Sequence, residues 1–543
     1  MEQESSVPAT LPALLDRAVR LYGEAPAVAT SRGTLTYRDL QTTSARLARG
    51  LLAQGVGKGA RVGLLAGNSA FWIQSFFACA QVGALLAPIS TLAAPTELAH
   101  VLRHSDTQVL LATRHFMGRD YSDKIAQALP SLASAPNRRA LRIPEAPFLR
   151  TVWLDDAGGV DWAGEIETLL SAGDTDPGLN DAFLEQVKSE ITPSDDAVII
   201  YTSGSTALPK AVVHSQGPMA RHADVLARHH FAQPGERMLC VLPMFWVGGL
   251  SIMLETLTNG GCVVLPDGVS PRSVTDALRE LRADVVWGWP AQRRPIRELA
   301  EAEGLDFSGV RGLRDERLPD GSLRRPDQAP NSLGMTESFG PHCAPPLGAI
   351  LPDHRRGAFA PVIGGYERRV VDRATGAVLP PGRSGELQLR GGALMKGYYK
   401  RENSEVFTPD GFYPTHDLVR IEADGYMYFE GRTDDMLKTK GANVSRLEVE
   451  AALRGLAGVG EVVVCGLPDS QLGQRIVAAV VPATGKSPTE AELKAGLSDR
   501  LAAYKVPTNI LIIDRDDLIW TASGKIRAPE VGKLVAERLG LSA

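Results

Sequence analysis

Residues 201–210 read Tyr201-Thr-Ser-Gly-Ser-Thr-Ala-Leu-Pro-Lys210, and the prediction of the fold is built outward from this run. An apolar strand pattern, Ala197–Tyr201, leads into it, and Lys210 follows the last hydroxyl residue by four positions. Hydroxyl donors, closely approachable backbone N–H groups and one cation are the groups that bind a polyphosphate. The Walker sequence GxxxxGK[ST] is absent, because Pro209 stands where that motif has glycine. The run predicts a phosphate-binding loop, with a Ser/Gly-rich surface turn as the alternative. Its candidate ligands are Thr202, Ser203, Gly204, Ser205, Thr206 and Lys210.

Two segments further along the chain supply carboxylates. In Gly334-Met-Thr-Glu-Ser338, Glu337 is a hard oxygen ligand suited to Mg²⁺, and Thr336 offers a hydroxyl group to a phosphate or acyl oxygen. The plain alternative for an exposed Thr-Glu pair is a helix N-cap. In Tyr413-Pro-Thr-His-Asp417, the carboxylate of Asp417 can accept hydrogen bonds from two hydroxyl groups at once. Both segments are therefore candidate parts of one polar site.

Two segments near the C-terminus carry cations. The first is Gly431-Arg432-Thr-Asp434-Asp-Met-Leu-Lys438, for which a surface Arg-Asp pair is the alternative interpretation. The second is Thr521-Ala-Ser-Gly-Lys525-Ile-Arg527, which taken alone is typical of a surface turn. These two segments are evidence for a site because they follow the phosphate loop and the two carboxylate segments in this order.

In order and spacing, these segments resemble the motifs of the adenylate-forming superfamily, which contains acyl-CoA synthetases, peptide-synthetase adenylation domains and beetle luciferases. The resemblance runs from Thr34-Leu-Thr-Tyr-Arg-Asp-Leu40 to Arg527 and is greatest to a stand-alone acyl-CoA synthetase. It implies that the loop at 202–210 holds the β- and γ-phosphates of ATP and that Asp417 binds the ribose. Arg432 would pair with ribose or phosphate.

The same resemblance implies a mobile C-terminal lid. Lys525 would be the catalytic cation, because carboxylate and α-phosphate are both anions and a positioned cation stabilises the transition state that joins them. Thr336 and Glu337 would complete the catalytic set, with Glu337 as the ligand of Mg²⁺. Asp434 stands at the family's hinge position.

The acceptor and the acid are predicted from two further runs. Residues 243–249 resemble the P-x-F-H-x-G-G segment of acyl-CoA synthetases, with Trp246 in place of histidine. The run from Lys438 to Val444 resembles the lid loop that lines the pantetheine tunnel, so coenzyme A is the expected acceptor. The implied CoA-binding residues are Lys438, Lys440 and Gly441, and the expected acyl-pocket residues are Trp246, Val247, Gly248 and Leu333.

Several positions depart from the family pattern. Ala207 and Ala211 replace glycines, Leu333 replaces a tyrosine, and His416 replaces a glycine. Residues 313–318 do not resemble the family's Gly-Gly-Ala-Pro-like adenine loop. Three alternatives stay open: an acyl-AMP ligase that loads a separate carrier protein, a luciferase-like oxidase, and a degenerate nucleotide-binding regulator. Retention of Lys525 argues against a regulator.

Strand and helix patterns alternate through most of the 543 residues, which predicts an α/β fold. The expectation is a large N-terminal body, 1–432, of α/β layers with a small β-barrel-like part, followed by a small α+β lid domain, 433–543. Short strands after Gly385 are interpreted as a meander or barrel. The Ala-, Pro-, Gly- and Asp-rich stretch 130–193 is interpreted mainly as connecting segments.

The composition excludes some classes of function. A formal net charge of −5 offers no basic surface of the kind that nucleic acids require. Residues 62–96 contain no charged side chain, but polar residues, glycines and prolines interrupt them, so they read as strand, buried helix and strand. The five cysteines are scattered without metal-ligand spacing. We therefore expect a protein of the cytoplasm that does not span a membrane. The resemblance implies that its small-molecule partners are a carboxylic acid, ATP and CoA; a homodimer stays open.

Overall fold

The computed structural model describes residues 7–540, apart from 94, 136–139, 203–209, 230–231, 289, 315, 319, 321, 325–327, 433–435, 440–441, 470–471, 499, 502 and 521–525. The chain divides into two compact units. The large unit is Met1–Arg368, Leu389–Pro414 and Asp424–Met427, and the small unit is Arg369–Gln388, Thr415–Ala423 and Tyr428–Ala543. The predicted boundary between 432 and 433 stays a prediction.

Helices and short strands alternate along the chain. The helices are α1 Leu11–Tyr22, α2 Tyr37–Ala53, α3 Ala70–Val82, α4 Pro95–His104, α5 Tyr121–Ala128, α6 Ile166–Thr175, α7 Asp181–Ser189, α8 Gln216–His229, α9 Val247–Thr258, α10 Pro271–Glu280, α11 Pro290–Ala302, α12 Arg446–Arg454, α13 Glu490–Ser498 and α14 Ala528–Arg538. The strands up to the middle of the chain are β1 Pro26–Thr30, β2 Gly33–Thr36, β3 Arg61–Leu65, β4 Leu85–Pro88, β5 Val109–Ala112, β6 His115–Phe116, β7 Arg119–Asp120, β8 Thr151–Leu154, β9 Gly164–Glu165, β10 Asp196–Thr202, β11 Lys210–Ser215, β12 Arg237–Cys240, β13 Cys262–Val264 and β14 Val285–Trp287. The later strands are β15 Leu333–Met335, β16 Gly340–Cys343, β17 Tyr366–Val371, β18 Ser384–Gly391, β19 Gly397–Tyr398, β20 Tyr413–Ile421, β21 Met427–Arg432, β22 Met436–Thr439, β23 Ala442–Ser445, β24 Val459–Asp469, β25 Gly473–Pro482 and β26 Asn509–Ile512.

Two sheets form the framework of the large unit. One has the order β19-β11-β10-β4-β3-β5-β8-β9, and its strands from β10 to β9 are parallel, whereas β11 runs antiparallel to both neighbours. The other has the order β14-β12-β13-β1-β2, with only β2 antiparallel. Side chains of β5 alternate between two cores, Val109 and Leu111 in one and Leu110 and Ala112 in the other. Burial on both faces explains the continuous apolar runs of these strands.

Helix α3 is the centre of the larger core. Ser69 caps its first turn by accepting a hydrogen bond from Trp72 N, and Gly83 ends it in the left-handed conformation at φ 68°. The helix is apolar all round, so it is buried all round, and Trp72, Phe76 and Phe77 are its largest buried side chains. The predicted order of strand, buried helix and strand in 62–96 is confirmed. Among the described helices, none combines the length and the apolarity needed to cross a membrane.

The prediction of connecting segments in 130–193 is wrong. This stretch contains the strand β8 and the helices α6 and α7. Two carboxylates of α6, Glu167 and Asp174, each accept a hydrogen bond of 2.7 Å from Arg46 of α2. Gly50 of α2 and Gly173 of α6 let the two helix backbones approach closely. The second half of α6 reads Ser-Ala-Gly-Asp-Thr, a composition that resembles a loop and concealed this helix in the sequence.

The small unit has its own sheet, with the order β23-β22-β25-β24 and β26 beside β25. Val462 and Val464 of β24 face a core that includes α12 and α13, whereas Val463 and Cys465 face a core that includes α14. A separate four-stranded sheet has the order β17-β18-β20-β21. Over the residues that are described it is open, so the meander is observed and the barrel is not.

The contact of α2 with α6 yields the first prediction. A Cβ atom at Gly173 would lie 2.5 Å from Gly50 N, so the substitution Gly173→Ala forces two helix backbones apart. We expect a loss of about 1–3 kcal/mol of unfolding free energy, although alanine is the better helix former. Urea unfolding followed by tryptophan fluorescence measures this, since every tryptophan except Trp520 precedes Arg368.

Gly57→Ala is the matched control, because a Cβ atom at Gly57 would meet nothing within 4 Å. Its expected effect is within about 0.5 kcal/mol of the parent protein. A Gly173→Ala protein that is more stable than the parent would contradict the close packing of α2 and α6.

Candidate active site

The predicted phosphate loop joins the two strands of a β-hairpin. Strands β10 and β11 pair antiparallel, and their register sets Thr202 opposite Lys210. The hairpin is tied into the eight-stranded sheet through β4 on one side and β19 on the other. The two ends of the loop are thus held together by strand pairing, which is what a phosphate loop requires of its base. The loop ligands themselves, Ser203, Gly204, Ser205 and Thr206, lie outside the described residues.

Glu337 lies in a tight turn, Thr336–Ser338, that joins β15 to β16. Its side chain is only 9% exposed, and two tyrosine hydroxyl groups surround one carboxylate oxygen. Tyr398 donates to Glu337 Oε1 at 2.7 Å, and the Tyr413 hydroxyl lies 3.4 Å from the same atom. The backbone is fixed as well, since Met395 N donates to Glu337 O at 2.7 Å. Burying a carboxylate is costly unless hydrogen bonds of this kind replace its contacts with water.

Lys210 and Glu337 contact the same tyrosine. The Lys210 ammonium nitrogen lies 5.3 Å from the centre of the Tyr398 ring, a cation–π distance. The hydroxyl group at the other end of that ring is the donor to Glu337. One side chain therefore separates the cation of the phosphate hairpin from the buried carboxylate. This arrangement suits a ligand that carries both an anion and a metal ion.

Buried histidines lie behind the Thr336–Ser338 turn. His214 of β11 donates from Nε2 to the Thr336 carbonyl oxygen at 2.7 Å, which assigns its proton to Nε2 because a carbonyl only accepts. Phe339, next to the turn, is fully buried at φ 48°, and its ring centre lies 5.1 Å from that of His214 and 6.4 Å from that of His222. Bulky residues rarely adopt positive φ. The packing around Phe339 holds the turn in place.

Asp417 lies on β20 in the small unit. It is 3% exposed, and its backbone N–H donates to Thr415 Oγ1 at 3.1 Å. The preceding residue, His416, has φ 61°, and its Nδ1 lies 3.0 Å from Glu386 Oε1. Positive φ explains why the family pattern has glycine here. The ribose role of Asp417 stays a prediction.

The expected acyl-pocket residues lie on two elements of the large unit. Trp246 is the residue before α9, with its ring 5.3 Å from that of Phe245, and Val247 and Gly248 are the first residues of α9. Leu333 opens β15, which pairs with β16. A Cβ atom on Gly340 of β16 would lie 3.2 Å from Ser251 Oγ of α9, so the two elements are neighbours. Their contact with the acid stays a prediction.

The lid residues are described only in part. Arg432 ends β21 and Lys438 lies in β22, and only their backbone positions are described. Asp434, Lys440, Gly441 and Lys525 lie outside the described residues. The assignments to hinge, CoA tunnel and catalytic cation therefore stay predictions.

Two residues that contact the site were missed in the sequence. Tyr398 was overlooked because it follows a glycine in a polar run and has no motif of its own. His214 was overlooked because one buried histidine in an apolar strand has no pattern that distinguishes it from a core residue. The available sequence signal was the Tyr-Tyr pair at 398–399 directly after Gly397.

The chain belongs to the AMP-binding enzyme family. The model of the AMP-binding enzyme matches residues 15–399, and the model of the AMP-binding enzyme C-terminal domain matches 448–525. This confirms the predicted superfamily.

Relatives and solved structures cover nearly the whole chain. Feruloyl-CoA synthase of an Amycolatopsis species is 31% identical over 522 residues, which are 95% of this chain and 97% of that relative. Fatty acid–[acyl-carrier-protein] ligase ScoC of Streptomyces coeruleorubidus is 28% identical over 519 residues, 93% of this chain and 92% of that relative. The crystal structure of the anthranilate CoA ligase AuaEII in complex with anthranoyl-AMP has a TM-score of 0.76 at 23% identity, covering 99% of this chain and 98% of that chain. The predicted α/β fold and the predicted class, an AMP-forming acid–thiol ligase, are confirmed.

The buried histidines make the large unit sensitive to acid. Burial lowers the pKa of His214 to about 4 and the pKa values of His222 and His342 to about 3. The native state therefore keeps them neutral while the unfolded chain binds protons below about pH 6.5. Their contribution to stability is complete above that pH and is lost as the pH falls toward 4. The slope is about 1.4 kcal/mol per pH unit for each histidine.

We expect His342→Leu to reduce this slope by roughly one histidine's share. His354→Leu, at an exposed position, is the control and leaves the slope unchanged. Urea unfolding by tryptophan fluorescence between pH 5 and 7.5 provides the measurement. An unaltered slope in the His342 variant would show that this histidine is protonated in the native protein.

Proposed function

We propose that this protein joins an aromatic carboxylic acid to coenzyme A at the expense of ATP, through an enzyme-bound acyl-adenylate. One observation carries the proposal: Lys210 and Glu337 both contact Tyr398, the lysine at the ring and the carboxylate at the hydroxyl group. Lys210 also ends the hairpin loop that has the composition of a phosphate site. The family supports the use of ATP. The relative that makes feruloyl-CoA supports CoA as the acceptor.

A carboxylate resists attack because it is anionic and has a poor leaving group. In the first step, a carboxylate oxygen bonds to the α-phosphorus of ATP, the bond from that phosphorus to the bridging oxygen breaks, and pyrophosphate leaves. In the second step, the CoA sulfur bonds to the acyl carbon, the acyl carbon–oxygen bond breaks, and AMP leaves; the thiol proton passes to solvent. Thr202 and Lys210 hold the β- and γ-phosphates, and Lys525 offsets the charge that develops in the first step.

The donor set around Glu337 fits a magnesium ion. Mg²⁺ is usually bound by one or two carboxylates together with substrate phosphate oxygens, not by an all-protein cage. Within the described part of the chain, no residue donates to Glu337 Oε2, and no group of three or more His, Cys, Asp or Glu could hold a metal ion. Glu337 would hold the ion through that oxygen. When bound, Mg²⁺ neutralises phosphate charge.

Two observations support an aromatic acid. Trp246 presents an indole at the start of α9, and indole faces stack on aromatic rings. Two relatives in the comparison act on aromatic acids, as their names, feruloyl-CoA synthase and anthranilate CoA ligase, state.

A pyrophosphate-release assay over a panel of acids tests the proposal. The panel pairs aromatic acids such as ferulate and anthranilate with a fatty acid, octanoate, and each acid is assayed with and without CoA. We expect pyrophosphate release with an aromatic acid and accumulation of its CoA thioester. If octanoate is the only acid of the panel that gives pyrophosphate release, the aromatic assignment is wrong. If no acid gives pyrophosphate release, the protein does not activate these acids.

A carrier protein is the second candidate acceptor, because ScoC is a ligase of that kind and matches nearly the whole chain. The same assay distinguishes the two acceptors when an acyl-carrier protein replaces CoA. Acylation of the carrier at a rate that exceeds thioester formation with CoA would favour this candidate.

The lid is expected to present different residues in the two steps. Lys525→Ala should slow adenylate formation by on the order of a hundredfold or more, yet still convert supplied acyl-adenylate and CoA into thioester. Gly441→Val should do the reverse, because a side chain there obstructs pantetheine. Single-turnover kinetics of each half-reaction provide the measurement.

Lys533→Ala, which removes an exposed lysine of α14, is the control and should alter neither half-reaction. If Lys525→Ala and Gly441→Val slow both halves equally while their melting temperatures match the parent, the division of roles within the lid is wrong.

A further inference from the structure

Tyr398 lies in one of the two edge strands of the eight-stranded sheet. Its strand, β19, is two residues long and pairs with β11, with Tyr398 opposite Val212. The side chain is 8% exposed. The next residue, Tyr399, donates to Asp106 Oδ2 at 2.9 Å, away from Glu337. Successive residues of an extended chain face opposite sides, so only the first tyrosine reaches the site.

The hydrogen bonds around Tyr398 have a defined direction. A phenol has one proton, and an ionised carboxylate only accepts, so the Tyr398 proton goes to Glu337 Oε1 at 2.7 Å. The hydroxyl groups of Tyr398 and Tyr413 lie 2.9 Å apart, so the proton of that contact comes from Tyr413.

This chain of donors fixes one face of the carboxylate. Oε1 accepts the hydrogen bond from the tyrosine, and within the described residues none donates to Oε2, which can therefore face a cation. At the same time, the ring of Tyr398 lies beneath the Lys210 ammonium group. The distance between the lysine and the carboxylate of Glu337 is thus set by a rigid aromatic side chain, and long flexible side chains alone would not hold it.

We propose that Tyr398 is a positioning residue that sets the spacing between Lys210 and Glu337, so that one nucleotide can meet the lysine with a phosphate and the carboxylate with a metal ion. The proposal rests on the function proposed above for this site. It predicts that the hydroxyl group and the ring serve separable purposes, the first for the metal ion and the second for the phosphates.

The test measures binding in the absence of acid and CoA. Electron paramagnetic resonance follows Mn²⁺ binding to the enzyme saturated with α,β-methylene-ATP, and nucleotide affinity is measured separately in EDTA. Tyr398→Phe keeps the ring and should weaken Mn²⁺ binding about tenfold or more, as loss of a hydrogen bond to a metal ligand does, with nucleotide affinity in EDTA changed less than about twofold. Tyr398→Leu should weaken both.

Tyr399→Phe is the matched control, since it removes a hydrogen bond from the adjacent residue and should change neither affinity. Tyr413 can donate to Glu337 when Tyr398 cannot, so the double variant Tyr398→Phe/Tyr413→Phe should lose more Mn²⁺ affinity than the single one. Urea midpoints identify any variant that fails to fold.

Parent-like Mn²⁺ binding in both the single and the double variant overturns the proposal, as does an equal loss in Tyr399→Phe. A parent enzyme that binds no Mn²⁺ with the nucleotide overturns it as well. Failure of the proposed function has a different signature, which is normal metal and nucleotide binding without pyrophosphate release for any acid.

Discussion

The buried carboxylate of Glu337 is the constraint on which the site depends. An ionised carboxylate that is 9% exposed must be paired or hydrogen bonded, and here its partners come from segments 61 and 76 residues away. Tyr398 and Tyr413 therefore bind the turn at Thr336–Ser338 to β19 and to the start of β20. In this structure, the burial of Glu337 is coupled to the meeting of these segments of the large unit.

Other residues of the large unit hold the turn that carries Glu337 in place. Strand β11 contributes Lys210 at its first residue and His214 near its end, so one short strand both ends the phosphate loop and supports the Thr336 carbonyl. The buried histidines and Phe339 fill the space behind the turn with rings that are uncharged at physiological pH. The large unit is sensitive to acid because these titratable rings are packed where water is excluded.

Local sequence patterns were sufficient to predict the family and the elements that are buried on both faces. Motif order defined the family, and apolar runs located β3, α3 and β4, because elements buried on both faces have uninterrupted apolar sequences. Helix α6 was missed because its second half, Ser-Ala-Gly-Asp-Thr, resembles a loop in composition, although Gly173 within it makes the close contact with α2. The contact of Tyr398 with Glu337 could not be predicted, since a pair 61 residues apart leaves no periodic or spacing signal.

The central claim is that the carboxylate of the substrate itself attacks the α-phosphorus. Oxygen isotope transfer measures this most directly: an acid labelled with ¹⁸O in both carboxylate oxygens is converted with ATP and CoA, and the products are weighed by mass spectrometry. Attack at the α-phosphorus predicts one ¹⁸O atom in AMP, one in the thioester and none in pyrophosphate. Label in pyrophosphate or in free phosphate would contradict the account.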